Sequence, residues 1–225
     1  MILNWRAELI QLALIGAMFI VAAVAWANVP DRIPVHWNIR GEVDGYGGRF
    51  TGLLLLPLVT LGMYALLLFL PRLDPGYANY RAFAGAYNLI RISLVVFLAM
   101  LYCVTVLAAL GNRIDVGTIV TLGVGGLLVV LGNVMGKIRP NWFVGVRTPW
   151  TLSSKLSWNK THRLAGWMFV VMGVLIALTG LVGSDTFLFV TLGISAVGGV
   201  WLIVYSYLVY RRDPDRVPPT GTSPG

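Results

Sequence analysis

Gly117-Thr-Ile-Val-Thr-Leu-Gly-Val-Gly-Gly-Leu-Leu-Val-Val-Leu-Gly-Asn-Val-Met135 is a run of 19 residues without a charged side chain. A helix crosses the ~30 Å hydrocarbon slab of a bilayer in about 20 apolar residues, so this stretch predicts a membrane span. Five others of similar length flank it: Leu9 to Ala27, Gly52 to Leu70, Leu89 to Leu110, Leu164 to Val182 and Phe187 to Tyr210. Only the third contains a charge, Arg91, near one end, where a long side chain is expected to snorkel to the interface. None alternates apolar with polar residues as a membrane barrel strand does, and a bare sheet edge in lipid would leave backbone groups unpaired. The whole chain is 57% hydrophobic and 12% charged, against roughly a quarter charged in soluble domains. The sequence therefore predicts an all-α integral membrane protein, a bundle of six transmembrane helices.

Arg6 ahead of the first run and Ala25-Trp26-Ala27 at its end imitate a secretory signal. The run exceeds the roughly 7 to 15 residues of such a signal, and Trp26 interrupts the small residues of the cleavage pattern. It is read as a retained span.

Cytoplasmic loops hold an excess of Lys and Arg. With six spans, thirteen of the 17 Lys and Arg residues fall on one side: twelve at the two ends and in loops 71–88 and 136–163, and Arg91 at the near end of the third run. Those segments, with both termini, are expected in the cytoplasm, and loop 28–51 outside. The +8 balance then needs no nucleic acid, because anionic inner-leaflet lipid attracts it. The single Cys103 permits no disulfide within the chain. His36 and His162 fall in loops on opposite sides, so they cannot share an ion, and no converging set of ligands suggests zinc. There is no Gly-rich phosphate loop and no nucleophile elbow, so no catalytic residue, metal or cofactor is assigned.

The outer loop has prolines that favour extended backbone and, at Gly41 and Asp44-Gly45, turn signals. A short hairpin-like cap is expected, centred on His36, Trp37 and Asn38. His36 reads as a hydrogen-bonded structural histidine or as a pH-sensitive group, and Trp37 as an interfacial anchor or part of a binding centre. In the inner loop, Asn133 and Lys137 are four apart and are expected on one helix face, converging on a common partner. Pro140 stops that helix. Ser153 or Ser154 is a candidate N-cap for the next one, where Lys155, Trp158, Asn159 and His162 follow the spacing of one stripe. This loop reads either as an interfacial turn with tryptophan anchors or as a binding surface. Gly132-x-x-x-Gly136 permits close helix approach, read as packing within the bundle with dimerisation as the alternative; Gly198-Gly199 reads the same way. Oligomeric state is left open.

Asn133, Gly136-Lys137, Asn141, Gly145-x-Arg147-Thr148-Pro149-Trp150-Thr151 and Trp158-x-Lys160-Thr161-His162-Arg163 resemble the signature of the SdpI family of bacterial immunity proteins. Ile33-Pro-Val-His-Trp-Asn38-x-x-Gly41 is similar to a small domain of unknown function that precedes this signature in many members. The resemblance implies residues 1–70 as that N-terminal domain and 71–210 as the SdpI-like membrane domain; residues 211–225 depart from a minimal member, and their proline-rich composition suggests a flexible tail. It also implies a multi-pass bacterial plasma-membrane protein that protects its cell from a secreted peptide toxin. In one branch of the family the protein also holds a transcriptional repressor at the membrane. The implied binding residues are Asn133, Lys137, Asn141, Arg147, Trp150, Thr151, Trp158, Thr161 and His162 inside, and His36, Trp37, Asn38 and Gly41 outside. Two other classes compete. A transporter or channel would need ionisable groups within the membrane, and only Arg91 is present in the six runs. An enzyme acting on phosphate-containing lipid or wall precursors would use Lys137, Arg147 and His162, yet loop 136–163 offers no carboxylate as general base.

Overall fold

A computed structural model of the chain describes residues 4–217. Six helices are long and apolar enough to cross a membrane. In chain order the elements are α1 (Trp5–Ala25), a hairpin of β1 (Ile33–Trp37) and β2 (Val43–Gly47), and α2 (Leu55–Leu73), which continues a π-helical turn at Phe50–Leu54. A 3-10 segment at Tyr77–Phe83 leads into α3 (Ala84–Ala109). Then come α4 (Val116–Met135), the short α5 (Pro149–Leu152), α6 (Lys155–Val182) and α7 (Asp185–Arg211). The fold is thus an α-helical membrane bundle, with the expected cap present as a small antiparallel ribbon. Six spans place the outer ends of α1 and α7 on one face, here the basic face; the other is the hairpin face.

Four of the six long helices, α1, α4, α6 and α7, start where a side chain satisfies a free N–H group. Asn4, Asp115, Ser154 and Ser184 accept from Arg6, Thr118, Ser157 and Phe187 N–H. Backbone and hydroxyl hydrogen bonds from Thr118 hold the Asp115 carboxyl below the usual carboxylate range. Gly183, at φ 64°, ends α6 in a left-handed turn.

Between helices in lipid, apolar burial supplies little attraction, and association rests on close van der Waals packing and polar contacts. The seam between α4 and α6 shows the first. Gly132 lies so near Gly166 that a Cβ on Gly132 would come 2.7 Å from the Gly166 carbonyl oxygen, and the reverse placement gives 2.8 Å. Gly125 and Gly173 repeat the contact two turns away. The small residues of α4 are therefore used inside the bundle, as expected. Gly198 likewise meets Met168, whereas Gly199 faces open space.

The second kind of contact corrects the reading of Arg91. Its side chain does not reach the interface: it is 1% exposed and forms a fork with Glu8, Nη1 to Oε1 at 2.7 Å and Nη2 to Oε2 at 2.8 Å. Tyr64 of α2 donates to the same carboxylate at 2.8 Å and sets its ring beneath the guanidinium. The reason is the start of α1 at Trp5, earlier than the apolar run begins, which carries Glu8 into the bundle. A carboxylate facing a guanidinium at fork geometry is a stronger partner than distant water, so the side chain turns inward. α1, α2 and α3 are tied together by this one cluster.

The segment after α7 is also held as far as Val217. Asp213 accepts from the Ser154 hydroxyl, Val217 N–H donates to Ser153 O at 3.0 Å, and the Ser154 hydrogen bond lowers the Asp213 pKa. The beginning of the proposed flexible tail is therefore docked on the start of α6, and its remainder, 218–225, lies outside the described residues.

Two outcomes test these contacts by thermal unfolding in detergent. Gly132→Ala is expected to cost about 1–3 kcal/mol by overpacking, while Gly126→Ala, which meets nothing within 4 Å, is neutral. Glu8→Ala strands a buried guanidinium and is expected to cost ~3–5 kcal/mol, most of it recovered in Glu8→Ala/Arg91→Met; a double variant no better than the single would refute the pairing.

Candidate functional site

The residues singled out from the sequence fall at the two ends of the bundle and do different things there. On the basic face the loop 136–154 is folded around α6. Trp158 and His162, four apart on α6, are fully buried, with rings stacked at 4.1 Å and 19°. The Trp158 indole N–H donates to Ile138 O at 2.9 Å. His162 Nδ1 lies 2.8 Å from Trp158 O, and its Nε2 receives the Val146 N–H at 3.1 Å. A carbonyl only accepts and an amide N–H only donates, so the partners select the neutral tautomer with the proton on Nδ1. Gly145, at φ +109°, passes over this ring where a Cβ would strike Nε2. Both ring nitrogens are thus used to hold the loop.

Asn141 is 2% exposed; its carbonyl oxygen accepts from Phe143 and Val144 N–H and its amide donates to Arg139 O and Val144 O. Thr148 and Thr151 form a capping box at α5. The Thr151 hydroxyl also donates to Val146 O, and Thr148 meets the Ser206 hydroxyl at 3.0 Å. Trp150 packs its ring against Tyr207, 5.1 Å between centroids. Thr161 is buried and its hydroxyl has no partner among the described residues.

The remaining inner candidates stay at the surface. α4 ends at Met135, so Lys137 lies in the turn beyond it, and Asn133 donates to Val129 O of its own helix. The expected convergence of Asn133 and Lys137 does not form, because Gly136 caps the helix before Lys137 can occupy the next turn. Arg147 is exposed and donates to Trp142 O at 2.7 Å. Lys155 and Asn159 are exposed while Trp158 and His162 are buried, so the expected single stripe divides into an outward pair and an inward pair.

Sequence reasoning passed over Asp74. Its carboxylate accepts from Gly76 N–H, the Tyr80 hydroxyl and Trp142 N–H, stitching loop 71–83 to the signature loop. The signal available was an acid next to Pro75-Gly76; its partner, 68 residues away, was not legible locally. Ser157 and Ser206, joined by a 2.7 Å hydrogen bond from the Ser157 hydroxyl to Ser206 O, were missed for the same reason.

At the hairpin face the four outer candidates come together. Asn38 shapes the turn: its side-chain oxygen accepts from Arg40 and Glu42 N–H, and its amide donates to Glu42. Gly41, at φ +76°, completes that turn against the start of α4. His36 is exposed and paired with Asp44 across the ribbon. Beneath these residues is a cavity of about 500 Å³, lined by His36, Trp37, Asn38 and Gly41 and by aliphatic side chains of α2, α3, α4 and α7. Thr105 and Thr121 also face it, but their hydroxyls donate to Leu101 O and Gly117 O of their own helices. The helical wall is therefore apolar, and the hairpin supplies the polar and aromatic rim, the usual make-up of a small-ligand or side-chain pocket.

These two ends correspond to two matched segments. Residues 137–206 match the SdpI/YfhL protein family, and residues 13–61 match a domain of unknown function, DUF1648. Immunity protein SdpI of Bacillus subtilis (strain 168) is 24% identical over 207 residues, 92% of this chain and 97% of that protein. No solved structure matches the chain. The first segment holds the buried Trp158–His162 stack and all but one of the inner candidates; the second holds the hairpin and its rim. The six-span bundle thus carries, in chain order, a segment similar to DUF1648 and a segment similar to the SdpI/YfhL protein family.

Proposed function

We propose that this protein is a multi-pass plasma-membrane immunity protein of a bacterium, and that it intercepts a membrane-active peptide toxin at the hairpin face. The observation that carries this reading is the apolar cavity of about 500 Å³ beneath Trp37, large enough for one or two bulky apolar side chains and open at the end a toxin would reach first. The similarity to a protein named for immunity supports the same reading. In this proposal residues 1–70 supply the receptor cap and 71–210 the membrane domain, with His36, Trp37, Asn38 and Gly41 at the peptide site. The hairpin faces outward, and both chain termini lie in the cytoplasm.

On the cytoplasmic side the site is a surface rather than a pocket. Asn141, Thr151, Trp158, Thr161 and His162 shape it from within, and Trp150 braces it. Asn133, Lys137 and Arg147 are exposed on it, available to a partner such as a transcriptional repressor held at the membrane. The buried Glu8–Arg91 fork is the single observation that favours transport, since ionisable groups in spans often mark ion pathways. It is closed on itself and lies at the basic end, away from the cavity, so transport stays second.

Deleting the gene is expected to sensitise the host to a membrane-active peptide. Val120→Trp, which fills the cavity, should reproduce the deletion with protein level unchanged, as read from inhibitory concentrations and immunoblots. Unchanged sensitivity across a panel of such peptides would remove the reading. Orientation has its own test in a Cys103→Ser background: Arg40→Cys should react with an impermeant maleimide in intact cells, and Arg139→Cys should react only after permeabilisation.

A further inference from the structure

The basic ends of α6 and α7 enclose a groove that the immunity reading does not use, although one of its residues, Lys160, lies in the signature stretch. Its volume is about 220 Å³. On α7 its wall is a single stripe, Trp201, Tyr205, Leu208 and Arg212, at spacings of four, three and four, which a helix presents on one face. On α6 the facing wall is Leu156 and Lys160, one turn apart.

We propose that this groove binds one anionic phospholipid, its phosphate between Lys160 and Arg212 and an acyl chain along Leu208 and Trp201. Three observations converge on that occupant. First, the polarity runs in one direction. Arg212 caps α7 at the membrane surface, and Trp201 lies eleven residues deeper, about 16 Å at 1.5 Å per residue. That is roughly the depth of one leaflet. An amphiphile with a charged head and an extended tail has the same profile. Second, the two cations are not already neutralised. Among the described residues the ion pairs are Glu8–Arg91, Asp31–Arg49 and His36–Asp44, which leaves Lys160 and Arg212 without a carboxylate partner. The neighbouring acid, Asp213, is turned the other way, accepting from the Ser154 hydroxyl at the start of α6 and from Asp215 N–H. Third, the deeper wall is left uncovered by protein: Trp201 is 49% and Leu208 40% exposed. A groove of this volume takes the phosphate and the first methylenes, and the rest of the chain lies on those exposed side chains. Basic pockets between helices at a membrane surface hold acidic headgroups by this charge pairing.

Two cations flanking one phosphate also explain why the groove suits a lipid better than a free anion. Inorganic phosphate would gain the charges but leave the Trp201–Leu208 wall bare, whereas a zwitterionic lipid would cover the wall but bring its own cation to the surface.

The test uses delipidated full-length protein in detergent, titrated with dioleoyl-phosphatidylglycerol, dioleoyl-phosphatidylcholine or inorganic phosphate and read by non-denaturing mass spectrometry. One phosphatidylglycerol is expected to be retained in preference to phosphatidylcholine. K160Q/R212Q should weaken it about tenfold or more, because each cation beside an anionic headgroup contributes severalfold, and K137Q/R139Q should not. K160R/R212K, which keeps the charges, should retain binding. In a second readout, phosphatidylglycerol brominated on its acyl chain should quench tryptophan fluorescence, and Trp201→Phe should remove that component. Equal retention of the two lipids, an equal loss in both glutamine pairs, or displacement of the lipid by inorganic phosphate would each overturn the proposal.

Discussion

The backbone contact between α4 and α6 is the constraint on which the rest of the molecule depends. Two helices of glycine-bearing faces approach until carbonyl oxygens lie where side chains would otherwise stand, at Gly132 against Gly166 and at Gly125 against Gly173. Lipid gives no solvent pressure to drive helices together, so shape must do it. With α6 set against α4 in this way, the start of α6 lies beside the end of α4, and Trp158 can reach Ile138 O. The loop between the two helices then has a fixed span and a fixed partner at each end.

From that point the signature residues act as internal stitching. A loop at a membrane surface has backbone groups that neither lipid nor a regular element can satisfy. Asn141, Thr148, Thr151 and His162 each pair with backbone groups of the loop, and Asp74 fastens it to the neighbouring turn. Much of the polar density that marks this stretch in the sequence is therefore turned inward, and what it produces is a rigid basic surface. The hairpin face follows a different logic. There the ribbon satisfies its own backbone, and the helices below it spread enough to leave an apolar space.

The charged fork in the bundle shows how a local reading misleads. Arg91 lies near the end of an apolar run, and snorkelling is the default for such a residue. Glu8 lies just before another run and looks like part of a polar terminus. Only the approach of α1 to α3, 83 residues apart in the chain, makes them a pair. A similar gap separates Ser154 from Asp213, which ties the beginning of the C-terminal segment to the start of α6.

The sequence by itself determined the six spans, the ribbon in loop 28–51, an N-cap at Ser153 or Ser154 and the small-residue face of α4. These are written in hydrophobic runs, turn residues and short spacings, and a helix or turn forms from neighbours in the chain. Tertiary structure alone decided which polar residues are used up and which remain available. His162 is spent on Val146 and Trp158, whereas Lys160, two residues earlier, has no ion-pair partner among the described residues and lines a groove with Arg212. It also decided that Trp37 roofs a cavity. The physical reason is that a hydrogen bond, an ion pair or a pocket depends on distances between segments far apart in sequence, and those distances exist only once the helices have packed.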